Sequence, residues 1–487
     1  MSLSFARKAV VCFCLFLAPA ALVSAQTNYY TANGTEYALV GSLPGDQMFP
    51  DAALNTGGGF VVWQDNATDG SGWGVSMMPV DDTLSGFGSV YRVNVQGTNS
   101  QENPRVALLK NGSAVFVWQG GAASQQHIYA RFGSATNTWL TGDVLVNTCT
   151  NNFQINPSVA VLTNGNVVVV WASFDQVSSA SLQDVYGQIL SPAGQKIGGE
   201  FLINQFTAYN QRTPAIASLA NGGFIVTWVS EQERSTAPNW GTNSTYYGVS
   251  GAPLPSVDIY ARLYNADGSA LNNEFLVNAD SNPAANPVVA ATADGSYMIA
   301  WDARDMANST NSWDVYARPF TNSSGGAVLR VNTRVYGDEF APRINVVGGD
   351  YLIVWTSLGQ DGSREGVYGQ FVHENGAMTG GEFRVNTTTI GQQMQPVVAS
   401  DGVAQFLVLW TGFTFGPNSF DLFAQRYDNV GAVLAPMPAP FVWAPFVTSG
   451  GVYQPQLQVS WAPLLGISVA SYEIYTNGGA TPAVIVS

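Results

Sequence analysis

Five glutamines share one place in a recurring pattern. Gln47, Gln101, Gln154, Gln211 and Gln393 each stand three residues before a proline, with Ala284 at that place in a fifth unit and Glu339 in a sixth. A carboxamide both donates and accepts, so a ring of them near a channel mouth can hold sugar hydroxyls or satisfy backbone groups of neighbouring segments. Glycoside cleavage needs two carboxyl groups several Å apart, and Glu102, Asp338 and Glu339 approach that mouth and are its candidate acids. Asp65-Asn66-Ala67-Thr68-Asp69-Gly70 has the spacing of a calcium loop, but Ala67 stands where a ligand belongs and no glutamate closes it. No cofactor is therefore expected, and calcium at Asp65 and Asp69 is the one ion with a partial signal. Asp175, Asp302, Asp305 and Asp361 follow other tryptophans and read, like Asp65 and Asp69, as solvated turn residues. His127 and His373 accompany no nucleophile motif, metal cluster or phosphate loop.

Aromatic residues outside the repeat are of separate interest, because the repeat does not require them. The 29 residues between Trp228 and Asp258 hold Trp240, Tyr246 and Tyr247 beside Glu231, Glu233 and Arg234. Long insertions on a rigid scaffold are where binding concentrates. Trp240, Tyr246 and Tyr247, with the glutamines and Glu339, are the candidate ligand-binding set.

What positions these residues is a repeat. Pro50, Pro104, Pro157, Pro214, Pro287, Pro342 and Pro396 each open a short apolar strand, a tight turn and a second strand closing on Trp63, Trp118, Trp171, Trp228, Trp301, Trp355 or Trp410. The tryptophan spacings are 55, 53, 57, 73, 54 and 55, so one unit carries an insertion. A third strand follows, as in Asp258-Ile259-Tyr260-Ala261-Arg262, and a fourth, as in Phe275-Leu276-Val277-Asn278. Four short strands in about 55 residues are the content of one β-propeller blade. Second strands such as Val167–Trp171 are apolar without alternation, which suits sheets covered on both faces. The seventh unit lacks its fourth strand, whereas Gly34–Val40 resembles the fourth strand at Gly380–Asn386. The N-terminal strand is therefore expected to complete the last blade, leaving no open sheet edge.

Arg7 and Lys8 precede an apolar run from Ala9 to Val23 and small residues at Val23-Ser24-Ala25. Residues 1–25 read as a secretory signal peptide, the run being shorter than the roughly 20 residues of a membrane span. Cys12 and Cys14 lie in that segment and Cys149 is left alone, which excludes a disulfide framework within the mature chain and a cysteine zinc cluster. A net charge of −15 repels phosphate backbones, so nucleic acid is not an expected partner. From Pro436 a proline-rich linker, residues 435–450, leads into residues 451–487, whose strands around Trp461 and Tyr472 look like part of a fibronectin type III domain.

The motifs Gly222–Trp228 (Gly-Gly-Phe-x-Val-x-Trp) and Asp314–Arg318 (Asp-Val-Tyr-Ala-Arg) resemble the tandem propeller repeats of large exported bacterial proteins. The resemblance implies an extracellular role in adhesion or carbohydrate binding and carries no shared catalytic residues. The sialidase box Ser-x-Asp-x-Gly-x-Thr-Trp is absent. The expected fold is all-β: a seven-bladed β-propeller over residues 26–434, closed by an N-terminal strand, then a partial β-sandwich-like segment. The expected function is a secreted noncatalytic binding or adhesion protein that recognises a glycan or a cell-surface partner. The alternatives are a polysaccharide hydrolase or lyase with carboxylates at the channel mouth, and an extracellular scaffold.

Overall fold

The structure is a computed structural model, and it describes residues 30–40, 43–178, 181–232, 257–279, 282–304, 313–413 and 420–429, with short strands beyond. The inner strands Gln47–Asn55, Ser100–Leu108, Gln154–Val161, Gln211–Ser218, Ala284–Ala291, Glu339–Val347 and Gln392–Ser400 open seven antiparallel sheets. Each inner strand packs on the next, and that of the seventh blade packs on that of the first, so the ring closes. This is the expected seven-bladed propeller.

The closure falls where the sequence placed it. Tyr37 pairs with Ala424 and Ala38 with Phe423 on the outer edge of the seventh blade, and Tyr30–Ala32 continues along the same strand to Asn429. Tyr30, 1% exposed, stacks on Phe371 and meets Phe406 edge-on. A chain lacking residues 1–38 is expected to melt at a lower temperature and to associate through the bared edge of Asp421–Asn429. Calorimetry and size-exclusion chromatography at two concentrations check this; an unchanged melting temperature with an unchanged elution volume would count against it.

Seven buried clusters fill the junctions between blades, and each holds one repeat tryptophan against the blade before it. Trp118 packs on Phe60, Val62 and Met77 of the first blade, and Trp301 on Ile225, Val229 and Ile259 of the fourth. All seven indoles are at most 1% exposed. The tryptophan in every unit is thus the packing element of the ring, which explains its fixed spacing.

A further regularity lies in the backbone. The residue before each marking proline takes a left-handed conformation, with φ between 48° and 55° at Phe49, Asn103, Asn156, Thr213, Asn286, Ala341 and Gln395. The pairing register slips there, from Met48 to Asp51 in the first blade and from Phe340 to Arg343 in the sixth. Each slip is a β-bulge, which suits a proline that has no N–H to give the ladder. The bulge turns the pre-proline N–H towards the preceding blade. Asn103 donates to Gln64 Oε1 at 3.0 Å, Asn156 to Gln119 Oε1 at 2.8 Å, and Gln395 to Thr356 Oγ1 at 3.1 Å. The side chain after the tryptophan therefore latches its blade to the next.

Beyond residue 429 the described backbone forms paired strands, Phe441–Trp443 with Gln458–Ser460, Phe446–Ser449 with Val452–Pro455, and Tyr472–Ile474 with Val484–Val486. Among the described residues no helix is long and apolar enough to cross a membrane.

Candidate active site between the fifth and sixth blades

At one junction the repeat departs from its own rules. The glutamine place holds Ala284 in the fifth blade and Glu339 in the sixth, and Trp301 is followed by Asp302, where the first two blades have Gln64 and Gln119. Asp302 still makes the latch: its Oδ2 accepts the Ala341 N–H at 2.8 Å, and also Asn286 Nδ2 at 2.8 Å. Its Oδ1 has no hydrogen-bond partner among the described residues. The side chain is 1% exposed. Burial pushes its carboxyl up to about 6, the nearby charge of Asp338 adds to this, and the bonds from Asn286 and Ala341 oppose it.

Asp338 approaches from the turn that enters the sixth blade, and its Oδ1 accepts the Trp313 backbone N–H at 3.1 Å. Asp302 and Asp338 line one pocket of about 320 Å³, whose other walls are Ala285, Asn286, Trp313 and Phe340. Two acids beside two aromatic side chains in a concave site can protonate a leaving oxygen and activate water against a stacked ring.

Glu339, between Asp338 and Phe340 in the chain, has no exposure. Its Oε2 accepts the Trp355 indole N–H at 3.2 Å, as Gln101 and Gln211 accept those of Trp118 and Trp228 at 3.0 and 3.2 Å. Burial pushes its carboxyl up to about 8, so at neutral pH it is held as a neutral acid in a place built for an amide.

The five glutamines are at most 2% exposed. Their Nε2 groups hold the turns that enter the inner strands, Gln47 donating to Pro44 O at 3.1 Å and Gln393 to Ile390 O at 3.0 Å. Gln154 Oε1 accepts Asn147 Nδ2 at 3.0 Å and lies 2.7 Å from His127 Nδ1. His373 pairs with Asp350 at 2.6 Å. Glu102 is half-buried on the second blade and is not brought to the pocket, so the structure separates it from Asp338 and Glu339. Trp240, Tyr246 and Tyr247 lie outside the described residues.

The reading of the acids after the tryptophans as solvated turn residues is corrected at Asp65 and Asp302. Both are 1% exposed, because the second strand runs on past the tryptophan to Asp65 in the first blade and to Arg304 in the fifth. Asp65 accepts the Ala67 and Thr68 N–H groups at 3.0 and 2.7 Å and Ser76 Oγ at 2.6 Å, and Asp69 accepts the Ser71 N–H at 3.0 Å. Their oxygens are thus engaged by the chain. Among the described residues no group of three or more His, Cys, Asp and Glu is placed to hold a metal ion.

No known protein family and no curated protein matches this sequence. Among solved structures, a protein of unknown function from Dyadobacter fermentans is 8% identical, with a TM-score of 0.47 over 82% of this chain and 99% of that one. The polysaccharide lyase Uly1 is 10% identical, with a TM-score of 0.46 over 85% and 94%. An α-L-arabinanase from Penicillium chrysogenum is 12% identical, with a TM-score of 0.45 over 66% and 92%. The expectation of a noncatalytic adhesion protein is corrected here, since the similar propellers that are named for an activity are carbohydrate-acting enzymes. At these identities the likeness is one of fold, and the chemistry of this chain rests on its own acids.

Proposed function

We propose that the chain is an exported glycoside hydrolase acting on a neutral polysaccharide at the pocket between the fifth and sixth blades. The carrying observation is Asp302: a buried carboxyl raised to about 6, with two donors on Oδ2 and none among the described residues on Oδ1, in a pocket shared with a second carboxyl. As the glycosidic C–O bond breaks, Asp302 gives its proton to the leaving oxygen, and Asp338 takes a proton from the water whose oxygen forms the new bond. Trp313 and Phe340 offer faces to the sugar ring, and Asn286 orients Asp302. Export is supported by Arg7, Lys8 and the apolar run to Val23.

Hydrolysis is favoured over elimination by charge. Among the described residues the pocket lining holds two acids and no cation, and the chain carries −15 overall, which disfavours the uronate chains a lyase needs. The test is incubation of the purified chain with neutral and uronate-containing polysaccharides at about pH 5, where a general acid of this kind is protonated. New reducing ends from a neutral polysaccharide, without unsaturated products, are expected. Release of unsaturated uronates alone, or no product from any neutral polysaccharide, would contradict the proposal.

A further inference from the structure

The bulge in each inner strand sets the following residues at the wall of the central channel, a cavity of about 420 Å³. Of the seven residues that immediately follow the marking prolines, four are small or apolar and three are charged: Asp51, Arg105 and Arg343. All three line the channel, so it holds two cations and one anion in a chain that has 33 acids against 18 bases.

Asp51 is already engaged. Its Oδ2 accepts the Val106 N–H at 2.9 Å, and it lies within electrostatic reach of both arginines. Arg105 Nη1 donates to the carbonyl of its neighbour Pro104 at 3.0 Å. The Arg343 guanidinium makes no hydrogen bond to any described residue; burial and repulsion by Arg105 push its value down to about 10, against the attraction of Asp51, and it keeps its proton at neutral pH. A guanidinium carries five donors, and those of Arg343, half-buried on the channel wall, have no protein acceptor among the described residues. Asn103 and Asn156, from adjacent bulges, line the same cavity.

We propose that the central channel binds a compact monoanion, a halide or a small carboxylate, between Arg105 and Arg343. Such an anion supplies the acceptor that Arg343 lacks and cancels the one excess positive charge. Because the arginines come from the second and sixth blades, bound anion ties two distant parts of the ring together. The site is separate from the acidic pocket, although Asn286 lines both cavities.

The full chain is melted in sodium chloride, in sodium formate and in sodium gluconate, whose large hydroxylated anion is not a compact one, at matched ionic strength. A ligand that binds only the folded state raises the melting temperature saturably with its concentration. A saturable rise of a few degrees is expected in chloride or formate relative to gluconate, and its loss in Arg343→Gln. Equal melting temperatures in all three salts, or an undiminished rise in Arg343→Gln, overturn the proposal. If Arg343→Gln does not fold, a bromide-soaked crystal of the unaltered protein decides: an anomalous peak between Arg105 and Arg343 supports the site, and its absence at saturating bromide refutes it.

Discussion

Asp338→Asn is expected to lower kcat/KM on a neutral polysaccharide by about 10²–10⁴-fold, the usual contribution of a positioned acid or base, with a melting temperature close to that of the unaltered chain. The separation follows from its bonds. Asp338 is half-buried, and among the described residues its one side-chain contact with a hydrogen-bond donor is the Trp313 N–H on Oδ1, which an asparagine oxygen accepts equally well. What asparagine cannot do is take a proton from water. Asp302→Asn behaves alike: it keeps an oxygen for the Ala341 latch and loses the proton that the leaving group needs. Asp302→Ala removes the latch as well and is expected to melt lower. Initial rates beside thermal melts of the three variants check the pattern, and normal rates in both asparagine variants would dismiss these acids.

Glu339→Gln is expected to stabilise the protein by an amount that grows as pH rises above the ordinary carboxyl value of 4.5. The Glu339 carboxyl has an ordinary value of 4.5 and is raised to about 8 in the folded chain by burial. Between those values the folded state binds a proton that the unfolded state has released, so stability is fully present below the lower value and is lost as pH rises towards the upper one. Glutamine carries no such proton and keeps an acceptor for the Trp355 indole, the contact that Gln101 and Gln211 make in their own blades. At about pH 8 the gain is on the order of a few kcal/mol, and near the ordinary carboxyl value it vanishes. Asp302, raised from 3.8 to about 6, still carries the slope at lower pH. Melts across this range test the point, and an unchanged slope above about pH 6 in Glu339→Gln would show that this carboxyl is not the group that titrates there.

Periodicity made the ring legible before any coordinates. Tryptophans at near-constant spacing need equivalent junctions, and the missing fourth strand at the end of the array found its match in Tyr37–Ala38. The site was legible only in part. Asp338 and Glu339 stand out by their place near the proline, but Asp302 reads as a turn residue when the second strand ends at the tryptophan. The signal that would have found it was already in the repeat: Gln64 and Gln119 fill its place in other blades, so an aspartate there is a buried carboxyl in a position made for an amide. The left-handed residues before the prolines had no such signal. Phe49, Asn103, Thr213 and Ala341 share no side-chain chemistry, and only the sheet register reveals why their backbones must agree.

The most direct measurement is kcat/KM against pH for the unaltered chain on its neutral polysaccharide, beside the residual activity of Asp302→Asn. A buried acid that must be protonated to act gives a falling limb near its own value, about 6 for Asp302, and that limb disappears when the residue can no longer ionise. Activity that persists undiminished to about pH 8, or a falling limb that survives in Asp302→Asn, would contradict a proton-donating role for this carboxyl.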